Sequence, residues 1–145
     1  MNEQAMWMEK LACREVVERS VRHVDAGDAD AFAALFAEDG ALLRPGGAVL
    51  QGREAVRRSY AARPADRMTR HLVANTVVDI RADGLACACS YVLLWSGSAD
   101  APPEAFGRPA HARQIVGEFD DLLRRQADGA WRIQRREARF VLYAE

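Results

Sequence analysis

Thr69-Arg70-His71-Leu72-Val73-Ala74-Asn75-Thr76-Val77-Val78-Asp79-Ile80-Arg81 runs into Ala82-Asp83-Gly84 and out through Leu85-Ala86-Cys87-Ala88-Cys89-Ser90-Tyr91-Val92-Leu93-Leu94-Trp95-Ser96. The first arm is rich in Val, Ile and Thr, which suit a pleated strand. Asp-Gly between two such arms marks a tight hairpin. On the second arm, Leu85, Cys87, Cys89, Tyr91, Leu93 and Trp95 share one face, and Ala86, Ala88, Ser90, Val92 and Leu94 share the other. Both faces are largely apolar. A sheet that is apolar on both sides covers helices or a pocket with one face and a further partner with the other. The expected partner is a second copy of the chain, giving a homodimer through the outer sheet face.

The pattern repeats downstream. Ala112 to Gln126 reads as a third long strand, Asp128-Gly129 as a second hairpin turn, and Trp131 to Tyr143 as the last strand. Residues 97–110 form a loop of Gly, Pro, Ser and Ala, with Phe106 its one large apolar residue. Upstream the period is helical. Trp7, Leu11, Val17, Val21 and Val24 recur along a helix over residues 4–26, ended by Gly27. Asp28 caps a second helix, Ala29 to Ala37, which buries Phe32, Leu35 and Phe36. Ala41 to Arg44 and Ala48 to Gln51 flank a Pro45-Gly46-Gly47 turn, and a third helix spans Arg53 to Ala62. Helices segregated from long antiparallel strands make an α+β fold. Strands well beyond the usual length of about five or six residues must coil. The expected architecture is one domain over residues 1–145, an open, cone-shaped antiparallel sheet wrapped around three helices with an internal pocket.

Composition limits the functions available. Twenty basic and twenty-one acidic side chains are interspersed, giving a formal net charge of -1. A nucleic-acid binder shows a one-sided basic excess, which is absent here. The apolar runs fall far short of the roughly 18 residues that span a bilayer, and Met1-Asn2-Glu3-Gln4 carries no secretory pattern. Three cysteines, Cys13, Cys87 and Cys89, read as free thiols of a reducing, cytoplasmic setting. Cys87 and Cys89 point the same way and read as buried packing thiols, with no further metal ligand nearby. No phosphate loop or nucleophile elbow is present, so cofactor-free and metal-free chemistry is expected.

Two residues far apart carry the functional reading. Asp25 lies where the first helix runs out, and His71 lies early in the first long strand. If the fold brings them together, the carboxylate fixes the imidazole tautomer and the pair is a general base. Taken singly, His71 could be a satisfied core histidine and Asp25 could cap the next helix. Asp28 is the better placed cap, which leaves Asp25 without an obvious structural task.

These segments together resemble the nuclear transport factor 2-like superfamily, in its SnoaL-like and scytalone dehydratase-like branch. The resemblance rests on Val24-Asp25-Ala26-Gly27-Asp28, Phe32 to Gly40, Gly52-Arg53-Glu54-Ala55-Val56, Arg70 to Asn75, and Gly117-Glu118-Phe119-Asp120-Asp121 followed by Trp131-Arg132-Ile133. It implies that Asp25 and His71 hold the catalytic dyad of the dehydratase and dehydrochlorinase types. Ser20 stands where the dehydrochlorinase has lysine, and Val24 stands where the dehydratase has tyrosine. The resemblance assigns the dehydrochlorinase arginine to Arg132. The fold itself does not carry a function.

The expected activity is a cofactor-independent lyase or isomerase acting on a small apolar carbonyl or aromatic molecule. His71 takes a proton, Asp25 orients it, and Tyr60, Asn75 or Arg132 stabilises the developing charge. Asn75 lies four residues beyond His71, so both side chains are expected to leave the same strand face. Tyr60, Trp95, Phe119 and Trp131 read as core or cavity wall. His23 reads as solvated. His111 could be a second histidine of the site. The rival reading is a non-catalytic small subunit of an aromatic-ring dioxygenase, or a ligand-binding module.

Overall fold

A computed structural model describes residues 1–145. The elements are α1 (Glu3–Asp25), α2 (Ala29–Ala34), β1 (Phe36–Leu43), β2 (Val49–Gln51), α3 (Arg53–Ala61), β3 (Arg67–Ile80), β4 (Leu85–Ser98), β5 (Gln114–Arg125) and β6 (Trp131–Ala144). The strands form one open sheet in the order β2-β1-β6-β5-β4-β3. The expected α+β cone is observed: β3 to β6 run antiparallel as a meander, and the helices sit within their curve. One feature differs from a wholly antiparallel sheet. β1 pairs with β6 in parallel, so the sheet is mixed. A parallel pairing needs a long connection, and α3 with the three intervening long strands supplies it.

The strands are bent by irregularities rather than by smooth twist alone. Register shifts fall between Ala74 and Val77 on β3, between Phe36 and Ala41 on β1, and at two places in the β5–β6 pairing. An extra residue bends a strand and changes which residues face inward beyond it.

Two buried clusters hold the helices to the sheet. Cys13 and Val17 of α1 pack on Val78, Ala86, Ala88, Leu123 and Trp131. Small residues on β4 let the helix approach closely. Phe32, Ala33, Phe36, Leu42, Val56 and Ile133 form the second cluster. Phe32 and Phe36 meet edge-on at 5.3 Å. Each such side chain contributes about 1.5–3 kcal/mol when fully buried.

Three local expectations change. The second helix stops at Ala34, because Phe36 already belongs to β1 and Leu35 O accepts from Ile133 N at 2.8 Å. The inner stripe of α1 is Cys13, Val17, Ser20 and Val21, whereas Trp7 and Leu11 are about half exposed. Leu11 is two residues from Cys13, about 200° around the helix. Cys13 is buried, but Cys87 is only partly buried and Cys89 is exposed, so that pair is not core packing. Both lie on the outer face of β4, where Leu72 of β3 and Tyr91, Leu93 and Trp95 of β4 are also exposed. No helix is long and apolar enough to cross a membrane.

Candidate active site

The end of α1 is fixed by backbone geometry. Gly27 takes φ +71°, its N–H donates to Val24 O, and Asp28 N–H donates to His23 O, both at 3.0 Å. This is a Schellman closure, which favours glycine at the left-handed position. Asp28 Oδ1 accepts from Ala31 N at 3.0 Å and so caps α2. Asp25, the last residue of α1, is therefore free of capping and faces β3.

β3 is an edge strand, so N–H groups on its outer side have no strand partner. Asp25 takes one of them: its Oδ2 accepts from His71 N at 2.9 Å. Its Oδ1 accepts from Thr69 Oγ1 at 2.9 Å and lies 2.6 Å from His71 Nδ1. The two side chains are 11% and 17% exposed, which is too little for water to replace these contacts. Burial pushes the Asp25 carboxyl upward, but the hydrogen bonds from the His71 ring and backbone, the nearby imidazole and Thr69 outweigh it and hold it below the usual carboxylate range. A carboxylate only accepts, so Nδ1 carries a hydrogen, and in the neutral ring the lone pair is on Nε2.

His71 lines a mainly apolar cavity of about 110 Å³ inside the cone. Phe32, Tyr60, Val92, Ile115 and Phe119 form much of its wall. Tyr60 packs on Phe32 with ring centroids 4.5 Å apart. An adjoining hollow of about 260 Å³ shares Val24, Phe32, Tyr60, Arg63 and Arg67 with it and reaches Asp25.

A second polar group borders the cavity. Arg136 donates to both Asp121 oxygens, at 2.7 and 2.8 Å, and to Ser20 Oγ at 2.9 Å. Its guanidinium lies 4.0 Å from the Phe119 ring centroid. Arg136 and Asp121 side chains are 3% and 0% exposed, yet Arg136 still contributes to the cavity lining. The charge is thus matched, and its planar face is held against an aromatic ring.

The remaining expected site residues lie elsewhere. Tyr60 and Phe119 line the cavity; Asn75, Trp95 and Arg132 do not. Asn75 sits at the register shift of β3 with φ +55°, so it does not share the face of His71. Trp95 is 42% exposed on the outer face of β4. Arg132 pairs with Asp128 at the β5–β6 turn, at 3.1 Å. Arg132 alternates with the inward Trp131 and Ile133 and so points out; a register shift follows it, since Ile133 is opposite Leu123 but Arg135 is opposite Leu122, so Gln134 is extra. Before it Trp131 and Ile133 face inward; after it Arg136 does. Arg136, Asp121 and Thr69 are among the polar residues that the sequence reading missed, with Arg44, Arg63 and Arg67 of the cavity lining. The cross-strand pairing of Asp121 with Arg136 is readable only once the extra residue is known. His111 is exposed, with Nδ1 3.4 Å from Ser96 Oγ, away from the cavity. No group of three or more His, Cys, Asp or Glu side chains converges as a metal site.

Comparison with known proteins agrees with this architecture. No curated protein matches the sequence. Among solved structures, a scytalone dehydratase-like protein of Novosphingobium aromaticivorans is 22% identical, with a TM-score of 0.82 over 99% of this chain and 91% of that one. A point variant of Rv3472, a Mycobacterium tuberculosis protein of unknown function, is 28% identical, with a TM-score of 0.75 over 93% and 77%. A hexachlorocyclohexane dehydrochlorinase, LinA type 2, is 13% identical, with a TM-score of 0.81 over 99% and 92%. The model of the SnoaL-like domain matches residues 8–137, and the chain belongs to that family, within the nuclear transport factor 2-like superfamily.

Proposed function

We propose that the chain is a cofactor-independent lyase or isomerase in which His71 is the general base and Asp25 orients it. The observation that carries this reading is the 2.6 Å contact between His71 Nδ1 and Asp25 Oδ1 beside an apolar cavity. His71 Nε2 removes a proton from a carbon activated by a carbonyl, and the imidazolium that forms is balanced by Asp25. Negative charge develops on the carbonyl oxygen, where Tyr60 or the Arg136 guanidinium stabilises it. The electron pair then expels a leaving group or takes the proton back at another carbon. One positioned base contributes roughly 10²–10⁴-fold, so these donors are needed as well. Asn75 and Arg132, away from the cavity, have no part in this step.

A direct test follows solvent deuterium entering a panel of bicyclic aryl ketones such as 1-tetralone, by mass spectrometry. The wild-type protein catalyses exchange and His71→Ala does not. Equal exchange by a folded His71→Ala protein removes His71 from the mechanism.

The protein is further proposed to work as a homodimer through the outer sheet face. Leu72, Tyr91, Leu93 and Leu142 are each close to half exposed or more there, on neighbouring strands. A contiguous apolar face of this kind marks an interaction surface. Three free cysteines, two of them partly or fully exposed, fit a reducing cytoplasm.

A further inference from the structure

Arg44, Arg63 and Arg67 follow β1, follow α3 and open β3, respectively, and all three line the cavity. Arg44 and Arg63 flank the Tyr60 ring, their guanidinium carbons 5.5 and 5.7 Å from its centroid. None of the three makes a salt bridge, while eight other arginines of the chain do. Their hydrogen bonds are weak: Arg63 Nη1 to Val24 O at 3.4 Å and Arg44 Nη1 to Ser59 Oγ at 3.5 Å. The nearby carboxylates are already engaged. Asp25 is held by Thr69 and His71, Asp28 caps α2, and Glu118 pairs with Arg139 at 3.1 Å.

Like charges gathered at one lip of an apolar hollow repel each other. Burial pulls the Arg63 pKa down, and the Arg67 and Arg44 charges add to that, against the opposing pull of Tyr60 and Asp25. Such a cluster is stabilised when an anion binds. A guanidinium fork matches a carboxylate with two parallel donors. Tyr60 and Phe32 beside it offer an aromatic wall.

We infer that the molecule taken by this cavity carries a carboxylate, which docks on Arg63, Arg67 and Arg44 at the Tyr60 lip while its apolar ring lies toward His71. This deepens the proposed function and rests on its reading of the cavity as the substrate site. The substrate class is then an aromatic or polycyclic carboxylic acid.

The test measures binding, not turnover. Calorimetry at low salt compares 1- and 2-naphthoate with the matching primary amides. At least one acid binds about tenfold or more tightly than its amide, as expected for a charge-assisted contact. The preference falls to near unity in Arg63→Gln/Arg67→Gln and shrinks in Arg67→Gln alone, a change at an exposed position. Arg58→Gln, exposed on α3 and outside the cavity, keeps it. Equal affinity for acid and amide, binding of neither member of either pair, or a preference that survives the folded double variant overturns the inference. His71→Ala separates the two readings. Acid preference kept alongside full exchange activity in that variant sinks the base and spares the anion site; loss of exchange with equal acid and amide binding does the reverse.

Discussion

Replacing Asp25 by Asn is the sharpest perturbation of the site, because the geometry dictates the answer. Three donors converge on the carboxylate: His71 N–H on Oδ2, and Thr69 Oγ1 and His71 Nδ1 on Oδ1. The backbone N–H cannot reverse its polarity, so the amide oxygen of the introduced asparagine must take the Oδ2 position. The NH₂ group then faces Thr69 and Nδ1. The threonine hydroxyl can rotate to accept. The imidazole can accept only by moving its hydrogen to Nε2. The neutral ring then presents an N–H to the cavity where the base lone pair stood. The expected rate loss is roughly 10²–10⁴-fold, the worth of one positioned base. The net stability loss is about 1–2 kcal/mol, for charge-assisted bonds exchanged for neutral ones. The pH sign is set by the depressed Asp25 pKa. Its stabilisation is present above the unfolded carboxyl value of about 3.9 and fades as pH falls through the lower folded value, so Asp25→Asn flattens the acid limb of the stability curve. The assay needs no substrate. Long-range ¹H–¹⁵N correlation of the His71 ring reads the tautomer, expected as Nδ1–H in the wild type and Nε2–H in the variant. An unchanged Nδ1–H tautomer in folded Asp25→Asn would refute the reasoning.

Asp121→Asn leaves the Arg136 charge buried and unmatched and is expected to cost about 3–5 kcal/mol in urea unfolding; a loss below about 1 kcal/mol would show the pair is not held as described. Gly117→Ala brings a Cβ to 2.7 Å from Arg139 O at the cavity wall, so a loss of roughly 1–3 kcal/mol is expected in the same assay, and a neutral effect would mean the wall is slack. Leu93→Arg, on the exposed outer face, is expected to turn a dimer into a monomer by light scattering while His71 chemistry persists; an unchanged dimer moves the interface elsewhere.

An acid-binding lip changes how the chain's charge balance reads. Overall the acidic and basic residues nearly cancel, which argued against a charged partner at the scale of the whole surface. Within the cone they do not cancel. Three guanidinium groups without carboxylate partners share one lip, and Asp25 and Asp121 are each committed to a partner of their own. A small anion is read by local arrangement, not by net charge.

Hydrophobic periodicity in the sequence was enough for the helices and the antiparallel meander β3 to β6. Along β4 the side chains alternate without interruption, and Ala86, Ala88, Ser90 and Val92 are buried while Cys89, Tyr91, Leu93 and Trp95 are exposed. That strand could be read in advance because its pleat has a period of two and no irregularity. The end of α1 could be read too, since Gly27 and Asp28 announce the closure and the next cap, leaving Asp25 over. Composition alone gave neither the parallel β1–β6 pairing nor the inward residues beyond each register shift. One extra residue near Asn75 turned it away from His71, and one at Gln134 brought Arg136 rather than Arg135 inward to the cavity. The site itself depends on a side chain meeting another 46 positions away, on the unpaired edge of β3. Local sequence sets which way each residue points within its own element. Only the packing of those elements decides which of them meet, and there a single inserted residue reverses the assignment.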